Sequence, residues 1–137
     1  MNSKSLFWLL TTVLLTTAPL AQAQQPARIP RIGILIASSA ASYSGRVEAF
    51  RRRLRELGYV EGKNIVIEYR YAEGKLERLP DLAAELVRLK VDVIVATNLG
   101  VLAAKKASPT IPIVFGAVSD PVGSGLVSSL ARPGGNI

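Results

Sequence analysis

Short apolar runs alternate with segments of helical period along most of this chain, and that alternation limits its fold more than any other feature. Ile32-Gly33-Ile34-Leu35-Ile36-Ala37 is continuously apolar, and Val91 to Ala96, mostly β-branched with Asp92 as its one polar residue, and Ile111 to Phe115 are two more short runs. Runs without a polar face belong to strands covered on both sides, as in parallel sheets. Ile65 to Tyr71 differs: Ile65, Ile67, Tyr69 and Tyr71 alternate with Glu68 and Arg70, the pattern of a half-exposed strand near an edge. Between the strands, Tyr43 to Leu57 places Val47, Phe50, Leu54 and Leu57 on one helical stripe. Ser42 or Ser44 can cap its start and Gly58 can end it. Glu61-Gly62-Lys63-Asn64 reads as a turn. A second helix runs from Leu79 to Leu89 with Leu79, Leu82, Leu86 and Leu89 inward, a short one ends near Lys106, and a last one is expected from Val122 to Ala131. Strands spaced by helices imply an α/β fold, a doubly wound parallel sheet with right-handed crossovers.

The first residues carry a different signal. One cation, Lys4, precedes an apolar stretch from Leu6 to Leu15, and Ala21-Gln22-Ala23 follows. A short positive region, an apolar core and an A-x-A site together define a secretory leader. Residues 1–23 are therefore expected to be cleaved, leaving 24–137 in the periplasm. The stretch is too short, and too interrupted by threonines, to span a bilayer, which takes about 20 apolar residues. No cysteine is present, so neither disulfides nor a lipid-bearing residue at the cleavage site are available.

Histidine is absent as well. Zinc sites, thiol nucleophiles and Ser-His-Asp triads are excluded by composition, and the usual general base near neutral pH is missing. The chain is expected not to be an enzyme, and no cofactor or metal is implied. A formal charge of +7 invites a nucleic-acid reading. Export argues against it, and the basic run Arg51-Arg52-Arg53 lies on a helix where Glu48, Arg52 and Glu56 are spaced four apart, the pattern of a paired, solvated face. No nucleic-acid partner is expected.

In open parallel sheets ligands sit beyond the carboxyl ends of the strands, at the switch in strand order. Three loops qualify: Ser38 to Tyr43, Thr97 to Gly100, and Val118 to Ser124. Each is expected to lead into a helix, where free N–H groups and the positive dipole end favour an anion such as a carboxylate without any arginine. The candidate ligand-binding residues are Ser38, Ser39, Tyr43, Thr97, Asn98, Ser119 and Asp120, with the alternative that they serve only as caps and turn formers. Gly123-Ser124-Gly125 lacks the lysine and glycine spacing of a phosphate loop. Asp120 has no second carboxylate in these loops to join it in catalysis or metal binding.

Several segments are recognisable in sequence order. They are Arg31-Ile32-Gly33-Ile34-Leu35, the stretch from Phe50 to Tyr59, Gly62-Lys63-Asn64-Ile65, Leu82 to Val87, Val91 to Val95, Ile111 to Phe115, and the long close from Asp120 to Ile137. Together they resemble the ABC-transporter substrate-binding family that includes tryptophan- and tyrosine-binding members. The resemblance implies a type I periplasmic-binding-protein lobe with flavodoxin-like strand order 2-1-3-4. It also implies two lobes on a hinge, a small-molecule solute held between them, and an ABC permease in the inner membrane as partner. A full-length member is expected to be a monomer. The chain is expected to stop at the hinge, which would leave the strand-four side of the sheet without a returning strand. Two departures stand in the presumed ligand loops: Ala96-Thr97-Asn98-Leu99 where the family has Gly-Thr-Pro, and Ser119 where it often has glycine. An exported sensor domain and, more remotely, a small flavodoxin-like hydrolase using Ser119 and Asp120 are the alternative functions.

Overall fold

The computed structural model describes residues 28–97, 99–116 and 118–137. The leader expected at 1–23 lies outside the described residues. Four strands, β1 (Arg31–Ile36), β2 (Val66–Tyr71), β3 (Val93–Thr97) and β4 (Ile113–Gly116), form one sheet in the order β2-β1-β3-β4. Every pairing is parallel, with Ile34 opposite Tyr69 and Val95, and Val95 opposite Val114. This is the α/β doubly wound order expected. The alternating strand, β2, is the edge strand its pattern required.

Helix α1 (Ala40–Glu56) covers one face of the sheet, while α2 (Leu79–Arg88) and α3 (Leu99–Ala107) cover the other. A short 3-10 turn, Leu76–Arg78, leads into α2, whose Pro80 sits in the first turn, where a missing N–H costs nothing. Leu79, Leu82 and Leu86 are buried on Leu35, Ile94 and Ala96. Gly33 leaves room for this packing: a Cβ there would stand 3.0 Å from both Leu86 methyl groups.

Helix α1 ends as its glycine implied. Gly58 has φ of 87° and donates its N–H to the Arg55 carbonyl at 3.0 Å, while the Tyr59 N–H reaches the Leu54 carbonyl at 2.9 Å. That pair of bonds satisfies the last carbonyls of the helix. Two details of α1 depart from expectation. Its cap is Ser39, not Ser42 or Ser44: the Ser39 Oγ accepts from the Ser42 N–H at 3.2 Å, so the helix begins three residues before Tyr43. Leu57, read as inward, is 58% exposed, because the capping turn carries it away from the sheet. The charged face is paired differently too. Arg51 meets Glu61 at 2.6 Å and Glu48 at 3.8 Å, and Arg53 meets Glu56 at 2.8 Å, in place of pairs through Arg52.

The helix expected from Val122 to Ala131 does not form; 121–125 is a turn and 126–131 is irregular. Two glycines each cost a helix about 1 kcal/mol, and Gly125 takes φ of 70°, outside the helical region. The Leu126 and Val127 N–H groups both return to the Pro121 carbonyl, and their side chains drop into the α2–α3 core. Burial of two apolar side chains is thereby gained without a helix.

The edge at β4 is not wholly open. The Ile113 N–H donates to the Asn136 carbonyl at 2.7 Å, and Asn136 Nδ2 donates to the carbonyls of Ser108 and Ile111 at 2.9 and 2.6 Å. The closing segment thus caps the start of the strand expected to lack a neighbour.

Candidate functional site

The sheet reverses its direction of growth between β1 and β3, so the switch point lies at their carboxyl ends. A cleft of about 200 Å³ opens there on the α1 side. The last residue of each adjoining strand lines it: Ile36 of β1, Thr97 of β3 and Gly116 of β4. Deeper walls come from Ile34, Val95, Val47 and Phe50, and Tyr43 and Arg46 of α1 stand beside them. The Arg46 guanidinium lies over the Tyr43 ring, 5.0 Å from its centroid, a cation–π geometry. An aromatic ring, a hydroxyl and a cation therefore meet at one mostly apolar hollow.

A second cleft, about 400 Å³, lies against α3 and is lined by Leu99, Leu102, Val118, Ser119, Asp120, Ser124 and Leu126. Asp120 and Ser124 are engaged in the local turn. Asp120 Oδ1 accepts the Gly123 N–H at 2.7 Å, and Ser124 Oγ donates to the Asp120 carbonyl at 2.6 Å. The loop leads into no helix, so the dipole end expected at Val118 to Ser124 is missing.

The expected site residues are therefore divided. Tyr43 and Thr97 share the first cleft, Ser119 and Asp120 the second. Ser38 and Ser39 follow β1 at the same rim and line neither cleft; Ser39 is committed to capping α1. Asn98 lies outside the described residues. The α1 start is largely occupied by the protein itself. The Ala40 N–H donates to Glu73 Oε1 at 3.3 Å, the Ser42 N–H to Ser39 Oγ, and the Tyr43 N–H to the Ser39 carbonyl at 3.3 Å. Glu73 is held at a positive φ of 55°, and the neighbouring Gly74 N–H donates to the Ala37 carbonyl at 2.9 Å. The expectation that this helix start would grip a ligand carboxylate is weakened accordingly.

Sequence reasoning missed Arg46 and Glu73. Arg46 stands three residues after Tyr43, a spacing that places side chains together on a helix, so it was within reach. Glu73 was not, because its role depends on two loops meeting.

Ionisation is perturbed elsewhere on the α1 face. Burial, with Glu61 nearby, pushes the Tyr69 hydroxyl from 10.0 up to about 12, and burial also raises Tyr71, whose ring stacks on Tyr69 at 6.4 Å between centroids. The hydrogen bond to Glu61 raises Arg51. These groups tie the turn at Glu61 to α1 and β2. Among the described residues no group of three acidic, histidine or cysteine side chains is placed to hold a metal ion, and no helix is long and apolar enough to cross a membrane.

Residues 31–137 match the family described as ABC transporter substrate binding protein. The chain belongs to that family. A tyrosine-binding protein of Clostridioides difficile is 38% identical over 91 residues, which is 66% of this chain and 26% of that protein. Three solved structures superpose with similar scores. An open, ligand-free substrate-binding protein with adhesive properties from Clostridium difficile has a TM-score of 0.73 at 32% identity, covering 79% of this chain and 37% of the other. A conserved domain protein from Vibrio cholerae gives 0.74 at 32% identity, over 80% and 37%. A Streptococcus pneumonia ABC domain in complex with L-Trp gives 0.72 at 27% identity, over 78% and 36%. The chain thus spans about a quarter of that curated relative and just over a third of each solved structure. Members of this family are substrate-binding proteins, which agrees with the non-enzymatic reading of the composition.

Proposed function

We propose that this chain is the first lobe of an exported, periplasmic solute-binding protein, which closes non-covalently on a small organic solute and delivers it to an ABC permease in the inner membrane. The observation that carries the reading is the cleft at the switch point, where the ends of β1, β3 and β4 meet Tyr43 of α1. Parallel α/β sheets present ligands at that place. Apolar walls with a few polar groups suit an aromatic amino acid, and relatives named for tyrosine and complexed with L-Trp support that class. The larger α3-side cleft is a weaker candidate, because its Asp120 carboxylate and Ser124 hydroxyl bond within their own turn. Export rests on the leader sequence at 1–23. In this reading the full-length protein is a monomer without a nucleic-acid partner.

Two lobes sharing a ligand divide its binding energy. If the complete protein binds at about 1 μM, near −8 kcal/mol, one lobe holding roughly half of that binds at about 1 mM. Calorimetry with L-tyrosine and L-tryptophan is expected to show micromolar binding by the complete protein and millimolar or no binding by this chain. Sub-micromolar binding by the 137 residues alone would refute the shared cleft. Failure of the complete protein to bind either amino acid would remove the aromatic assignment.

A further inference from the structure

We infer that Arg46 is the specificity-determining cation of the switch-point cleft, and that the solute held there is an apolar, ring-bearing carboxylate whose acid group lies on the Arg46 guanidinium. This rests on the solute-binding reading above and extends it to a residue and a ligand charge.

Three observations lead to it. The walls of the hollow are almost wholly hydrocarbon: Ile34, Ile36, Val47, Phe50 and Val95. At about 200 Å³ it is smaller than the roughly 300–1,000 Å³ that encloses a drug-sized ligand, so it admits a ring-sized group and leaves a polar end at the mouth. Arg46 is the charged residue of the lining, and Tyr43 holds its guanidinium in place at 5.0 Å. A guanidinium anchored by an aromatic face still presents its N–H edge to a carboxylate in a two-bond geometry that a lysine cannot copy. Finally, the anion position at the start of α1 is largely taken. Glu73 and Ser39 accept the N–H groups of Ala40, Ser42 and Tyr43 at the start of α1, and the Glu73 carboxylate repels a second anion there. Charge complementarity on this side of the cleft therefore falls to Arg46.

The test uses the complete two-lobed protein and three probes: L-tyrosine, 3-(4-hydroxyphenyl)propionate, which keeps the carboxylate without the ammonium, and tyramine, which keeps the ammonium without the carboxylate. Arg46 is exposed on α1, so Arg46→Gln is expected to fold, with an unchanged melting curve as the control. Calorimetry is expected to show about tenfold weaker binding of both carboxylate probes by Arg46→Gln, the loss of one charge-assisted contact at an exposed site. Tyramine should be unaffected, and Arg46→Lys should recover part of the loss. Unchanged affinity of Arg46→Gln for both acids would overturn the inference while leaving the solute-binding reading intact. Equal losses for tyramine and the acids would assign Arg46 a packing role and overturn it too. If the wild type binds none of the three probes, the inference and the aromatic assignment fail together.

Discussion

The two faces of the sheet are built to different standards. On the α2–α3 side the buried set runs from Leu35 through Leu79, Leu82, Leu86, Ile94 and Val101 to Ile113, with Leu126 and Val127 closing its end. On the α1 side the buried members among the described residues are Ile34, Ile36 and Ile67, and α1 itself buries no residue fully. Val114, which points to the α1 side of β4, is 55% exposed, whereas its neighbour Ile113 is buried on the other face. Two helices saturate one side; one helix leaves the other partly open, and the open part is the cleft. Close packing is concentrated on the face covered by two helices, and the switch-point cleft lies on the face covered by one.

Equal truncations on the two faces are the most direct way to break this comparison. Leu86→Ala removes a side chain with no exposed surface and is expected to cost ~3 kcal/mol in chemical denaturation, whereas Leu54→Ala on α1 should cost about 1 kcal/mol. Comparable losses would mean that the α1 face is as tightly packed as the other. Close packing on the α2–α3 side makes a second, smaller prediction. A Cβ at Gly100 of α3 would stand 3.0 Å from the Leu35 carbonyl oxygen, a backbone atom that cannot rotate away. Gly100→Ala should therefore destabilise by about 1 kcal/mol net, overpacking outweighing the helical gain; a rise in melting temperature would show that α3 slides freely on β1. The smallest effect belongs to the α1 side. Tyr69 is raised from 10.0 to about 12 in the folded chain, so the native state favours its neutral form. The stability this contributes is complete below pH 10 and fades as pH climbs from about 10 to about 12. Tyr69→Phe should flatten that part of the pH–stability curve, and an unaltered alkaline slope would assign the loss to other groups.

Legibility followed the same division. The strands, their parallel pairing and the edge position of β2 were readable because alternation and continuous apolarity report burial residue by residue. The inward leucines of α2 were readable for the same reason, at helical period. The helix expected at Val122 to Ala131 does not form because two glycines disfavour it, and the structure buries Leu126 and Val127 from a turn instead. Of the candidate residues, only some were brought together. Tyr43 and Thr97 meet as residues of one rim, yet Ser119 and Asp120 open onto a different cleft, since the face on which a loop emerges depends on which helix packs beside it.

Sequence alone determined the fold class and the exclusion of thiol and triad chemistry, because composition and period are properties of the chain whatever its neighbours do; the family was legible from the resemblance of its linked motifs. Tertiary structure decided which N–H groups at the start of α1 remained for a ligand. Glu73 is thirty-three positions from Ala40 and reaches it only because β2 lies beside β1 and their following loops are hydrogen-bonded together. Contacts of that range depend on strand register, and no local pattern of residues encodes them.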